Sequence, residues 1–554
     1  MKKQTLLLTL FILLGFSKAN CQTPDWVWAR SAQSNSSGIG EGYSISTDKS
    51  NNVYITGYYV DSITFGSFIL TTTANANFYL TKYDSSGNVI WAKSSVSSSN
   101  GYCIGYNICT DPFGNVYATG IFVDTVSFGS YTLTGAGSEN VFLVKYDSAG
   151  NVLWARSAIG VGDNYGYQVS ADLSGNIYVT GTFTSSTIAF GSYVLTNVAG
   201  YDIFIAKYDS FGNVIWAKRF GNNGDEVAYS IGTDALANLY VTGYFTSPSI
   251  TFGSYTLTNT GLADIFLAKF DSFCNVLWAK SVSGTDNDFG YYLVADSLGN
   301  IYITGYYFSQ SITFGSFTLN NQGAHDAFLA KYDSSGNVGW VKNIGGIGNQ
   351  YGYCVAMDDL NKVYVIGSFY SASVTIDTIV LQRPVVYDDP MFIAGCDSSG
   401  HLLWAKALGS GGDDDNSVAA STSGCIYVGG DFMVNSFYVG NDTLVLSGNN
   451  ENAFVAKLCY PQIGESVPEI SINKEFILYP NPFDDKLTAS PLTPLQGRGE
   501  EEELTLFDVF GRVLLRRLFT NSATINTEQL ARGIYFYEVR DKDGVGARGK
   551  IIKN

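Results

Sequence analysis

The sequence predicts an all-β chain, and three observations carry that prediction. Tryptophan recurs at Trp28, Trp91, Trp154, Trp216, Trp278, Trp340 and Trp404, with successive differences of 63, 63, 62, 62, 62 and 64. A fixed period of that size signals a repeat architecture. Around each tryptophan one sentence returns with small edits, clearest in residues 202–218, DIFIAKYDSFGNVIWAK, whose halves FIAKYD and NVIWAK alternate apolar and polar residues as strands do. Composition agrees: 60 Gly against 11 Pro, with 38 Tyr and 35 Phe among 554 residues, favours many turns and β-rich structure.

Within one period the elements follow in order. Residues 167–216 read as four strands, YQVSAD, NIYVTGTF, DIFIAKYD and NVIWAK. The first two are joined by Asp172-Leu173-Ser174-Gly175-Asn176 and the last two by Asp209-Ser210-Phe211-Gly212-Asn213. In such a turn Asp bonds the backbone two residues on and Gly adopts positive φ, which suits a type I turn closed by a glycine bulge. With Asp209 across from Asn213, Ala206 is expected to face Trp216. Thr81, Val144, Ala268, Ala330 and Ala394 then face their own tryptophans, and a modest residue opposite each indole leaves room for the ring. A glycine recurs in the second strand at Gly57, Gly120, Gly181, Gly243 and Gly305, with Gly367 and Gly430 in looser versions, and predicts close backbone approach or a bulge there. Between strands two and three, ITFGSYTL reads as a small hairpin turning at Gly253-Ser254.

Four-stranded units repeated four to eight times fit a β-propeller. The ends set the number. After Trp404 the chain supplies DNSVAAS, CIYVGGDF and NAFVAKL without a final tryptophan strand, whereas before the first full unit it supplies only WVWARSA. Trp28 is therefore expected to complete the last unit beside Ala456. Six whole units plus this composite make seven blades closed by the N-terminal strand; a solenoid would instead need polar caps at both ends.

Outside the repeats, residues 1–21 read as a signal peptide: Lys2 and Lys3 precede LLLTLFILLGF, which is too short to span a bilayer comfortably, and Ala19-Asn20-Cys21 offers small residues for cleavage. Lys18 stands where a lipoprotein would carry Leu, which favours simple cleavage over lipidation of Cys21. No other stretch is apolar enough for a transmembrane span. The seven remaining cysteines, Cys103, Cys109, Cys274, Cys354, Cys396, Cys425 and Cys459, fall at different places in different repeats. They show no repeated disulfide or zinc spacing and read mostly as small buried hydrophobes, with at least one thiol left over. Residues 461–473 break the period and read as a linker. The last 81 residues carry 12 Lys+Arg and 12 Asp+Glu, so the net charge of −17 belongs almost wholly to residues 22–460. That acidity argues against nucleic acid as a partner.

Two resemblances follow from these residues. With Ile250-Thr251-Phe252-Gly253-Ser254 and Phe328-Leu329-Ala330-Lys331-Tyr332-Asp333, residues 22–460 resemble the seven-bladed propeller repeat family of exported bacterial proteins (SBBP-type repeats), which carries no single defined activity. With Tyr479-Pro480-Asn481-Pro482-Phe483, LTLFDVFGRVLLRRL, INTEQLARGIYFYEV and GKIIKN, residues 474–554 resemble the C-terminal sorting domain of the type IX secretion system, a small β-sandwich. That resemblance implies passage of folded cargo through the periplasm and across the outer membrane by the type IX machinery. It also implies removal of the tail by a surface peptidase, often with transfer of the cargo to surface lipopolysaccharide. A polar interruption at residues 490–503, SPLTPLQGRGEEEE, departs from the pattern and is expected to loop out.

Candidate chemistry is sparse. Of the two histidines, His401 replaces the Asn of a turn, and His325 beside Asp326 is a weak basis for a Ser-His-Asp set. Lys145, Lys207, Lys269, Lys331 and Lys457 recur at one strand position, as structural residues do. The sequence places both tight turns of each unit on one face and the interblade loops on the other. Those loops are acidic, and Asp225, Glu226, Asp286, Asp288, Asp413, Asp414 and Asp415 are the candidate ligand-binding residues at the channel mouth. Just inside stand Tyr43, Tyr106, Tyr167, Tyr229, Tyr291 and Tyr353. Oxygen ligands suit Ca²⁺ and exposed aromatics stack on sugars. The expected function is a secreted or cell-surface, non-catalytic binding or adhesion module for a surface glycan or protein. The alternatives are a surface enzyme acting on polysaccharide or peptide, or a structural surface-layer component.

Overall fold

The computed structural model describes residues 23–35, 38–384, 390–410, 416–446, 451–461, 476–479, 485–491, 502–508, 512–520, 522–531, 533–541 and 544–553. Among them every regular element is a β-strand, and no helix is present. The signal-peptide reading of residues 1–21, the linker 461–473 apart from Pro461, and Asp413, Asp414 and Asp415 lie outside the described residues. The chain forms two compact units, residues 1–461 and 462–554.

In the first unit four strands of each period pair antiparallel, and two of these sheets continue into the outer hairpin of the next period to make six strands. The third repeat is typical: Asn164–Ala171, Ile177–Phe183, Asp202–Tyr208 and Val214–Phe220 pair in that order. Its turns form as the residues require. Asp172 Oδ1 accepts from the Ser174 and Asn176 amides, both at 2.9 Å, and Gly175 takes φ +80°. Oδ2 accepts from Asn176 Nδ2 at 2.8 Å and from the buried Tyr178 hydroxyl at 3.1 Å. The expected outer hairpin is present too, with Ser249–Phe252 pairing Tyr255–Thr258 around Gly253-Ser254.

The tryptophan register differs from expectation. A shift between Lys207 and Tyr208 sets Lys207, not Ala206, across from Trp216, while Ala206 faces Ala217. The same step puts Lys82, Lys145, Lys269 and Lys331 opposite Trp91, Trp154, Trp278 and Trp340, and Gly395 opposite Trp404. The turn's extra residue causes it, since a bulge lets two residues oppose one. Trp28, Trp91, Trp154, Trp216 and Trp278 are buried against a turn of the next repeat, the half-buried Trp340 makes the same contact, and Trp404 instead lies over Gly395. Trp216 Nε1 and Lys207 Nζ both donate to the Ser272 carbonyl, at 3.3 and 3.2 Å, and the ammonium sits 5.0 Å above the Tyr178 ring. The shared acceptor thus joins this sheet to a turn of its successor, while the favourable cation–π contact lies within the sheet, where Lys207 pairs with Tyr178.

Sequence ends meet as the composite unit requires. Strand Asp25–Ser31 pairs antiparallel with Asn452–Cys459, placing Ala29 across from Ala456 and Trp28 across from Lys457. This makes it the outer strand of a sheet with Cys425–Phe432 and Ser417–Ala420. Packing is between sheets rather than in one central mass, as expected for sheets stacked face to face. One buried cluster joins Trp28 and Ala32 to Ile55, Tyr79, Tyr427 and Val455, so the last sheet packs on the first. The last sheet also carries a disulfide, Cys425–Cys459, which repeat-based reasoning did not find because it occurs once. Cys103, Cys109, Cys274, Cys354 and Cys396 are free thiols.

Among its described residues the second unit contains two sheets. Phe476–Tyr479, Lys486–Pro491 and Ala523–Asn526 form one; Val513–Phe519, Glu502–Phe507, Gly533–Asp541 and Gly544–Lys553 form the other. Leu487, Leu504, Leu506, Tyr535, Val539 and Ile551 make its core. Glu502 and Glu503, read as part of the interruption, belong to a paired strand, and the strands flanking residues 492–501 are both paired.

Candidate functional site: a cup floored by bulged tyrosines

The site begins with a backbone irregularity. In six of the first strands the register slips by one residue at the recurring tyrosine: between Gly42 and Ser44, Gly105 and Asn107, Gly166 and Gln168, Ala228 and Ser230, Gly290 and Tyr292, and Gly352 and Cys354. Tyr43, Tyr106, Tyr167, Tyr229, Tyr291 and Tyr353 are therefore the extra residues of β-bulges, a device that re-aims a side chain. The recurring glycine of the second strand is the other half of the motif. A Cβ on Gly181 would overlap the Tyr165 carbonyl oxygen, and on Gly243 that of Val227. Close approach at these glycines, read from the sequence, is thus confirmed, and the bulge is what requires it.

The bulged rings touch in series. Centroid separations run 5.9 Å from Tyr43 to Tyr106, 6.0 Å to Tyr167, 5.2 Å to Tyr229, 5.0 Å to Tyr291 and 5.9 Å to Tyr353. Asn416 holds the corresponding place in the last sheet. Together they line a cavity of about 210 Å³. Below them the next residue of each strand bonds to its neighbour: Ser44 Oγ accepts from Ile108 N, Asn107 Oδ1 from Val169 N, Gln168 Oε1 from Ile231 N, Ser230 Oγ from Leu293 N, and Ser417 Oγ from Ile45 N, at 2.6–3.3 Å. Tyr292 breaks this pattern. Its side chain lies near Gln168 and Asn107, two and three repeats away, and it lines both the cup and a second cavity of about 270 Å³. Small or polar residues at the equivalent positions are the sequence signal that marks Tyr292 as different.

Above the floor the walls are uneven. On one side Tyr244, Phe289, Tyr306 and Tyr351 continue the aromatic surface, with contacts of 4.9, 5.2 and 4.8 Å. His325 lies within that cluster, 4.4 Å from Phe308 and 4.5 Å from Tyr351, and is buried among rings. On another side Glu41 accepts from Tyr43 Oη at 2.6 Å and from Tyr58 Oη. Glu139 accepts from Tyr102 Oη at 2.7 Å, and burial together with the adjoining Asp163 raises its pKa. Burial, then the charges of Glu139 and Asp225 respectively, lifts Tyr165 and Tyr244 to about 12.

Of the acidic residues read from the sequence, Asp225 and Asp286 are half-buried in loops, where Asp225 accepts from Tyr201 N at 3.1 Å and Asp286 from Asn287 N at 2.9 Å. Glu226 and Asp288 depart from the expected place in acidic loops at the channel mouth, open to a ligand. Each opens a first strand and is wholly buried, bonded to Ser247 and Ser309 respectively. Burial raises both pKa values, that of Asp288 to about 7, the neighbouring Asp264 adding to it against the Ser309 bonds. These two carboxyls hold loops together. Among the described residues no group of three or more His, Cys, Asp or Glu converges as metal ligands.

Comparison with known proteins bears mainly on the C-terminal unit. Residues 477–554 match the family described as secretion system C-terminal sorting domain. This end of the chain is a type IX sorting tail, and it marks a secreted or cell-surface protein. Over 522 aligned residues the chain is 25% identical to an uncharacterized WD repeat-containing protein of Acanthamoeba polyphaga mimivirus, covering 76% of this chain and 37% of that one. Over 160 residues it is 29% identical to regulatory protein FlaEY of Caulobacter vibrioides, covering 27% and 16%. The chain thus spans well under half the length of these relatives. A protein of unknown function from Dyadobacter fermentans aligns over 79% of this chain and all of its own, with 10% identity and a TM-score of 0.36, too low to bear on fold or activity. Among the described residues no helix is long and apolar enough to cross a membrane.

Proposed function

We infer that residues 22–460 form a seven-bladed β-propeller closed by the N-terminal strand, and that the protein is a secreted or cell-surface, non-catalytic binding or adhesion module delivered by the type IX system. The WD-repeat relative and the sheet-to-sheet succession, last packed on first, support the architecture. The observation that carries the binding reading is the tyrosine cup. Six bulges aim six rings at one cavity, where packing alone would leave the strands regular. Recurrence argues against catalysis, because a reacting group occurs once, whereas the aspartates and lysines that repeat here are committed to turns and sheet contacts. The ligand, a surface glycan or protein, sits over the cup, with Asp225 and Asp286 adding negative charge at the rim.

The test uses the full chain on immobilised polysaccharides and matrix proteins, with released products assayed in parallel. Capture without product release is the expected result. Turnover would make the protein an enzyme, and concentration-dependent assembly without capture would make it a structural surface component.

A further inference from the structure

We propose that the seam where the N-terminal strand meets the first repeat binds a carboxylate, carried by a small hydroxylated acid such as a uronic acid. The site is separate from the tyrosine cup and stands without it. A cavity of about 390 Å³ opens there, lined by Arg30, Ser31 and Gln33 from the N-terminal strands and by Thr64, Ser67 and Asn88 from the first repeat. That volume falls within the ~300–1,000 Å³ of small-molecule pockets. Arg30 is the only charged residue on the cavity wall, a local reversal of sign in a chain of net charge −17. Charges beyond ~10 Å are largely screened at about 0.1 M salt, so the local count decides what enters.

The guanidinium is held in place with its fork unfilled. Arg156 occupies the equivalent position in the second repeat, and both guanidinium groups lie 5.5 Å from the ring of their own tryptophan. Arg156 Nε donates to the Gly212 carbonyl at 2.8 Å and Nη2 to that of Phe211 at 3.1 Å, so the next turn fills its fork. Arg30 repeats only the bond from Nη1 to the preceding carbonyl, at 2.7 Å, and its Nε and Nη2 meet no acceptor among the described residues. Asp442 lies 3.9 Å from Nη1 and already accepts from the Ala29 amide at 2.7 Å.

A hydroxyl is released on the same wall. In other outer hairpins Ser127 bonds Thr132, Thr251 bonds Thr256 and Thr313 bonds Thr318, at 2.8–3.2 Å. In the first repeat Ile69 faces Thr64, which leaves that hydroxyl for a ligand. Gln33 pairs with Thr64 across the strands and adds an amide. Asp84 holds the Asn88 amide nitrogen, so Asn88 Oδ1 is left to accept from a ligand hydroxyl. The planar arginine fork matches a carboxylate with two parallel bonds, and one cation balances one negative charge, whereas a phosphate dianion would keep a charge unpaired.

Calorimetry and saturation-transfer NMR on the full chain test this with glucuronate and galacturonate, against glucose, galactose, sulfate and inorganic phosphate. At least one uronate is expected to bind. Arg30→Gln should weaken it roughly tenfold or more, and Arg30→Lys and Thr64→Val severalfold, with melting temperatures confirming that the variants fold. Arg156→Gln should leave it unchanged. Silence from both uronates overturns the proposal, as does uronate binding that survives Arg30→Gln. Neutral sugars that bind as well as the uronates, and are lost with them, overturn the role of the charge. Sulfate or phosphate that binds more tightly than either uronate, and is lost in Arg30→Gln, overturns the choice of a carboxylate.

Discussion

Trp28 Nε1 donates to the Ser85 carbonyl at 3.2 Å, across 57 residues, and so ties the outer strand of the last sheet to a turn of the first. Lys457 Nζ reaches the same oxygen at 2.7 Å, and the indole lies on Gly87, where a Cβ would come 2.9 Å from the ring. The contact repeats the one that every internal tryptophan makes with its successor. At the other end of the series Trp404 donates to Tyr460 Oη at 2.8 Å, so the tyrosine at the chain's exit replaces the turn that the last sheet lacks.

Trp28→Ala is expected to destabilise the first unit by ~3–5 kcal/mol, the cost of deleting a buried large aromatic. Denaturant melts of the full chain measure it. A variant beginning at Ser34 that melts at the unaltered temperature would show that the N-terminal strand contributes nothing.

Gly243→Ala should cost several kcal/mol, because the new Cβ overlaps the Val227 carbonyl and the bulge at Tyr229 must open. The same change at Gly424, where nothing lies within 4 Å, meets no steric contact, and only its positive φ of 75° resists it. A melting comparison of the two variants separates crowding from backbone strain, and equal losses would remove the crowding argument.

Reduction of Cys425–Cys459, or Cys425→Ser, is expected to lower stability by ~3–4 kcal/mol, from the loop-closure entropy of its 34-residue separation. Thermal melts with and without reductant read the effect, and an unchanged midpoint contradicts it.

Asp288 predicts a pH dependence. Its folded pKa of about 7 lies above the ordinary 3.8, so between those values the folded chain holds a proton that the unfolded chain releases. Stability from this group is fully present below about pH 4 and is lost as pH rises through 7, at most on the order of 4 kcal/mol. Asp288→Asn should flatten that slope and raise stability at pH 8. A variant with the parent's slope would assign the effect elsewhere.

Removal of residues 474–554 should abolish surface delivery while the first unit still folds, since the sorting tail forms its own core. Fractionation of the producing cells decides it, and surface levels matching those of the full chain count against the tail as the export signal.

The repeat, its four strands, both turns, the glycine-marked close approach and the completion of the last sheet by Trp28 were all legible in the residues. Alternation, turn chemistry and chain order report what a residue does within its own strand or hairpin. Contacts between sheets needed the tertiary structure. The bulge after Lys207 moved Trp216 from Ala206 to the neighbouring repeat, and burial turned Glu226 and Asp288 from loop carboxylates into internal partners of Ser247 and Ser309. The nearness of Tyr292 to Asn107 and Gln168 and the single Cys425–Cys459 bond likewise carry no period to betray them. A one-residue slip redirects every side chain beyond it, and the sum of such slips, set by how the sheets pack, decides which residues from distant repeats meet in the cup.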